Sequence, residues 1–239
     1  MLLSLLSQGD FKSFLISMLL SLPVIFFALS VHESAHGLVA SWMGDRTARN
    51  LGRITLNPLK HLDPMGFISM LLFGIGWAKP VPINSRNFRN PKWGFVFSSL
   101  AGPLSNFLLG IFNALLYGFV YARWYIVVLY RSETMGSFHA TLLYWLAQFF
   151  LIGAMINFIY SVFNMIPIPP YDGSRILFAF LPTKTYFAVM RYERQIMMVM
   201  LLVIFLVAFL SPVSPFSWVA EKLTTFFAEP IFRLVLKNF

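Results

Sequence analysis

Apolar residues fall into long blocks separated by short polar breaks, and the block lengths predict the elements. Phe11 to Met43 is 33 residues, more than the ~20 that cross a bilayer as helix, so it predicts a first span that is tilted or kinked at Pro23. Residues 1–10, ending at Gly9-Asp10, read as an interfacial stub. Gly44-Asp45 closes the first helix, and Ala48 to Leu56 alternates weakly, predicting a strand. Turn chemistry follows at Asn57-Pro58, Asp63-Pro64 and Gly66. Met65 to Ile75 is 11 residues of apolar sequence, too short to span and suited to a short buried or re-entrant segment. Trp77 to Asn84 carries prolines that allow only an edge strand or extended ribbon.

Trp93 to about Ala122 predicts the second span, Arg123 to Ser137 a polar break, and Phe138 to Ile166 the third span. Pro167, Pro169 and Pro170 end it. A short piece, Ser174 to Leu181, stops at Pro182, and Gln195 to Leu210 makes a fourth span if extended a few residues N-terminally. In the tail, Phe216 to Phe239, Glu221, Lys222, Glu229, Arg233 and Lys237 interrupt the apolar positions, which predicts an amphipathic interfacial helix. The expected fold is an all-α polytopic membrane protein. It has about four transmembrane helices, a re-entrant or short helix, a small membrane-associated β element and a C-terminal amphipathic helix, all in one domain, 1–239.

Composition agrees: 58% of residues are apolar, 11% charged, and mean hydropathy is +0.73, values outside the soluble range. With no cysteine, disulfides and thiolate ligands are excluded, and any zinc site must use histidine and carboxylate. The net charge of +9 would suit nucleic acid on a soluble domain, but here the basic residues are dispersed through loops between spans. They orient the chain instead. Residues 44–92 and 167–194 carry twelve Lys and Arg, against six on the opposite side, which puts both termini outside and those loops on the cytoplasmic side. The first basic residue is Lys12, and the apolar run after it is too long for a cleaved leader, so it reads as a retained span.

The chemistry lies in His32-Glu33-Ser34-Ala35-His36. Residues four apart share a helix face, so both imidazoles can address one metal ion, with Glu33 beside them as a base for metal-bound water. The alternative is a pair of core histidines satisfied by neighbours, but three ionisable groups in a lipid-length helix point to function. A catalytic zinc takes three protein ligands, and the third span delivers Asp172 on the same side as the pair. Asp45 and Asp63 are also on that side, Glu133 is in the opposite loop, and Asp172 before Gly173 also reads as a turn or N-cap residue. Asn106 and Asn164 are candidates for hydrogen bonds to substrate or oxyanion, or for interhelical bonding. His61 and His139 are given no ligand role.

VHESAHG (31–37), LGRITLNPLKHLDPMG (51–66), GWAKPVPIN (76–84), AGPLSN (101–106) and NMIPIPPYDG (164–173) together resemble the site-2 protease family, in particular its small bacterial and archaeal branch. The likeness covers roughly residues 29–180, leaving 181–239 as an extra span and tail. It implies an intramembrane zinc metalloprotease that cleaves a transmembrane protein substrate in or near the bilayer of a prokaryotic cell. One zinc ion would be held by His32, His36 and Asp172, with Glu33 as general base and Asn164 near the active site or substrate. Tyr171 departs from the family, where an aliphatic residue commonly precedes Asp-Gly. A non-cleaving membrane scaffold of the same fold and a metal transporter are the rival readings. If 48–56 and 77–84 are both extended, they offer an edge on which a substrate strand could pair.

Overall fold

A computed structural model of the chain describes residues 11–73, 76–130, 137–182 and 215–238, with scattered positions between 185 and 206. Three helices are long and apolar enough to cross a membrane: α1 (Phe11–Trp42), α4 (Pro91–Tyr130) and α5 (Ser137–Asn164). The chain is a multi-pass membrane protein. The short helices are α2 (Thr47–Asn50), α3 (Pro64–Phe73) and α6 (Asp172–Phe178), and α7 (Pro215–Lys237) closes the chain. The predicted fourth span, Gln195 to Leu210, and the stub 1–10 lie largely or wholly outside the described residues, as does Glu133.

Helix α4 is the hub, and its sequence shows why. Ser98, Gly102, Asn106, Gly110, Ala114, Gly118 and Ala122 recur every fourth residue and are all buried. Small side chains at that spacing form a groove that lets other helices approach closely where the hydrophobic effect is absent. Each of its three glycines has a neighbour pressed against it. A Cβ on Gly102 would lie 2.3 Å from His36 Nε2 of α1, one on Gly110 would lie 2.6 Å from the Phe158 ring of α5, and one on Gly118 would lie 2.3 Å from the Ala228 carbonyl of α7. Phe158 fills the centre with Ala114, Ala154 and Ala220.

Two expectations change. The strand over Ala48 to Leu56 does not form. The Asp45 carboxylate accepts from Thr47 N (3.0 Å) and from the Thr47 hydroxyl, starting the helical turn α2, and Gly52 at φ +61° then turns the chain. Among the described residues the β element reduces to one antiparallel bridge, Leu62 with Ala78. The polar break begins later than Arg123: α4 continues to Tyr130, because Ile126 and Val127 extend its buried face and one arginine is not enough to stop a helix. The tail is a helix with its charges on the exposed face, as expected, and it runs along the bundle. Ala220, Thr224 and Ala228 form its buried seam, and Phe216 meets Phe163, Phe227 meets Phe158, and Phe232 meets Tyr121 and Tyr125 in that order. It is therefore antiparallel to α5.

Between α1 and α4 the chain folds over the end of α1. Asp45, fully buried, also accepts from Asn84 N (2.6 Å) and Asn87 Nδ2 (2.9 Å), tying the ribbon 77–84 to the end of α1. Arg53 donates to the carbonyls of Lys79 (2.9 Å) and Pro80 (3.3 Å), and Lys79 N donates to His61 O (2.8 Å). That ribbon is held from both sides.

Candidate metal centre

His32 and His36 sit one turn apart on α1, facing the α4 groove at Gly102. His32 Nε2 is 3.1 Å and His36 Nε2 3.3 Å from Asp172 Oδ2, and the two Nε2 atoms are 3.0 Å apart. All three residues are buried. Among the described residues, these are the three potential ligands whose donor atoms converge.

Each ring is fixed from behind. His32 Nδ1–H donates to Asn106 Oδ1 (2.5 Å), and His36 Nδ1–H donates to Ser98 O (2.6 Å). Pro103, having no N–H and crowding the carbonyl of residue 99, loosens α4 at this turn, beside the Ser98 carbonyl that His36 reaches. Asn106 is fixed in turn: its Nδ2 donates to Asn157 Oδ1 (2.9 Å) and lies 3.3 Å from Ala28 O, while Asn157 Nδ2 donates to Gly153 O (2.8 Å). With both Nδ1 atoms protonated by these acceptors, both Nε2 atoms of neutral rings present lone pairs toward the same point as the carboxylate oxygen. Three electron-rich atoms facing one another in a buried space call for a cation between them.

The donor set fits zinc. Zinc bonds of ~2.0–2.1 Å in a tetrahedron put neighbouring donor atoms roughly 3.3 Å apart, and the three observed edges are 3.0, 3.1 and 3.3 Å. Two imidazoles and one carboxylate, with no cysteine in the chain, form the ligand class of hydrolytic zinc sites with a fourth position left for water or substrate.

Asp172 arrives on a separate arm. After α5 ends at Asn164, the chain turns back so tightly that a Cβ on Gly173 would lie 2.3 Å from Met165 O. The first turn of α6 is closed by Ser174, whose N (3.1 Å) and hydroxyl (2.6 Å) both donate to Tyr171 O.

Glu33 reaches the ribbon, where its Oε2 accepts from Val81 N (2.8 Å). Next to it, Ser34 donates to Thr55 O (2.7 Å), which also accepts from His61 Nε2–H (2.8 Å). Asn164 Nδ2 donates to Tyr160 O of its own helix (3.0 Å). Asp63 accepts from Gly66 N (2.9 Å), and Asp45 serves the ribbon, so both alternative acids have structural partners. His139 is exposed on the first turns of α5. The residues sequence reasoning missed as parts of the site are Asn157, Ser98 and Val81. Asn157 was signalled by its polarity within an apolar span, whereas backbone atoms carry no sequence signal.

Comparison with known proteins gives a consistent result. The profile of peptidase family M50 matches residues 20–208. YwhC of Bacillus subtilis strain 168 is 40% identical over 153 residues, 64% of this chain and 65% of that protein. Rip2 of Mycolicibacterium smegmatis is 29% identical over 151 residues, 61% of this chain and 51% of its own length. MJ0611 of Methanocaldococcus jannaschii is 34% identical over 114 residues, 47% of this chain and 49% of its own length. All three are described as candidate zinc metalloproteases. The chain therefore spans about half to two thirds of the length of these curated relatives. No solved structure matches it significantly.

Proposed function

The chain belongs to peptidase family M50, and on that premise we propose that it is a zinc endopeptidase. It hydrolyses a peptide bond in or near the transmembrane segment of a membrane-protein substrate, on the cytoplasmic side of a prokaryotic cell membrane. The observation that carries this reading is the convergence of His32, His36 and Asp172 from α1 and α6 into one triangle of donor atoms. Zinc bound there supplies Lewis acidity, lowering the pKa of water and polarising a carbonyl.

The protein's own groups do the rest. Glu33, next to His32 and three residues before His36, takes the proton of the attacking water and passes it to the leaving amine. The Val81 amide orients its carboxylate by occupying one oxygen. Asn106, backed by Asn157, holds His32 with Nδ1 protonated and Nε2 available, so its service is to the ligand and not to the substrate. Asn164, at the end of α5, is the amide left for contact with substrate backbone. A substrate helix must unwind before attack, since its own hydrogen bonds shield the peptide.

The test is Glu33→Gln in the full chain, reconstituted in lipid vesicles with a model transmembrane substrate. One zinc per chain is retained and cleavage falls by a factor of about 10²–10⁴ or more. Cleavage at the wild-type rate rejects the role of Glu33. Zinc bound by the wild type without any cut favours the non-cleaving scaffold.

A further inference from the structure

The match to the peptidase family ends at residue 208, ahead of α7, yet the first aromatic of α7 leads directly to the carboxylate arm. Phe216 lies edge-on to Phe163 at 5.1 Å, and Phe163 lies edge-on to Tyr171 at 4.4 Å. Tyr171 is buried, and its carbonyl accepts both bonds from Ser174 that close the first turn of α6. Asp172 is the next residue. Neither the Phe163 side chain, in the last turn of α5, nor that of Phe216, in the first turn of α7, has a polar atom, so their contacts with the Tyr171 ring and with each other are packing contacts. Edge-to-face pairs at these separations have a preferred geometry as well as a buried area.

The rest of α7 locks Phe216 in register. Its seam of Ala220, Thr224 and Ala228 is closed against α4 and α5: the Thr224 hydroxyl lies 3.7 Å from Met155 Sδ, and a Cβ on Gly118 would strike the Ala228 backbone. A helix seated this closely along its length cannot shift its first turn without opening the seam.

We propose that α7 is a positioning element of the metal centre: Phe216 acts through Phe163 and Tyr171 to hold the turn that presents Asp172 to His32 and His36. This rests on the reading of Asp172 as a metal ligand. Phe216 is a positioning residue, since it touches neither metal nor substrate. It makes the affinity of the site for zinc depend on a helix outside the matched family region.

The test uses the full chain in lipid nanodiscs, with zinc alone as the probe, titrated against a chelating dye. Phe216→Ala weakens zinc binding roughly tenfold with helical content unchanged, and Phe216→Leu, which restores most of the apolar volume, recovers it. Phe226→Ala, on the exposed face of the same helix, binds as the wild type does. Should Phe216→Ala lose helical content, Ala220→Leu decides, because it wedges the seam open while leaving the aromatic in place, and it weakens zinc binding too. Wild-type affinity in the decisive variant, or equal loss in Phe226→Ala, overturns the proposal. Asp172→Ala separates the two levels. If it loses zinc while Phe216→Ala does not, only the role of α7 fails; if it also binds zinc normally, the reading of the metal centre itself fails.

Discussion

The two halves of the metal site are held in place by different forces. On the histidine side, each ring has a hydrogen bond behind it, from His32 to Asn106 and from His36 to Ser98, and the acceptors sit on a long helix locked into a close-packed groove. On the aspartate side, the carboxylate rides a seven-residue helix after a proline-rich turn, positioned by a glycine contact, a closed first turn and a stack of aromatic edges. Hydrogen bonds fix the direction of a donor atom, while packing fixes how far its backbone stands from the others. The histidine pair therefore sets the shape of the site, and the arm sets whether the third donor reaches it.

Breaking the arm should thus cost more than loosening a ring. In Gly173→Ala the new methyl meets Met165 O at 2.3 Å and Ile166 O at 2.7 Å. Both are backbone atoms, which cannot rotate aside as a side chain would, so the arm must swing out and take Asp172 with it. Zinc affinity should fall by on the order of a hundredfold, leaving the weaker binding of two histidines, as measured by competition with a chelating dye. Affinity unchanged by this substitution would show that the tight turn does not place the carboxylate.

Loosening the ring side tests the other half. Asn106→Leu removes the acceptor for His32 Nδ1–H and strands Asn157 Oδ1. The ring is then free to turn and its tautomer is no longer set, so zinc affinity should drop about tenfold, with a stability cost of ~1–3 kcal/mol for the buried group left unpaired. If Asn106 instead contacted substrate, the variant would bind zinc normally and lose turnover alone. Equilibrium zinc binding and cleavage rates on one preparation distinguish these outcomes.

The comparison also explains what could be read in advance. His32 and His36 declare themselves because a helix turns a spacing of four into a shared face, and the polar Asp172 stands out after an apolar span whose topology brings it to the same side. The groove of α4 was equally periodic, from Ser98 through Gly102 and Asn106 to Ala122, but its meaning depended on which partner filled each gap. The β element failed for a local reason. Alternation in Ala48 to Leu56 promised a strand, and a buried side chain just ahead of it, Asp45, captured Thr47 and began a helical turn instead. The packing of the tail depends on a long-range contact: its charges mark the exposed face, and the alanine seam on its other face, with Gly118 opposite it, lets it lie along the bundle.

Asp45 gives the smallest effect, because it acts on the loop that orients Glu33 and not on the metal ligands. Its carboxylate accepts from Thr47 N, the Thr47 hydroxyl, Asn84 N and Asn87 Nδ2, and an asparagine there must turn its amide N–H₂ toward donors. Asp45→Asn should cost about 1–3 kcal/mol at neutral pH and expose the ribbon 77–84 to limited proteolysis, with little change in zinc affinity. Burial pushes the Asp45 carboxyl up, but hydrogen bonds from Thr47, Asn87 and Asn84 prevail and hold it below its ordinary value of 3.8. A group lowered on folding stabilises the fold above its unfolded pKa, and that contribution drains away as the pH falls through the folded one. The wild type and Asp45→Asn should therefore differ fully at neutral pH and converge below about pH 4, the ordinary carboxylate range. Thermal unfolding of both chains in excess chelator reads this difference, since titration of His32, His36 and Asp172 is common to the two and cancels. A gap that stays constant down to acid pH would mean that Asp45 holds the ribbon by shape and not by charge.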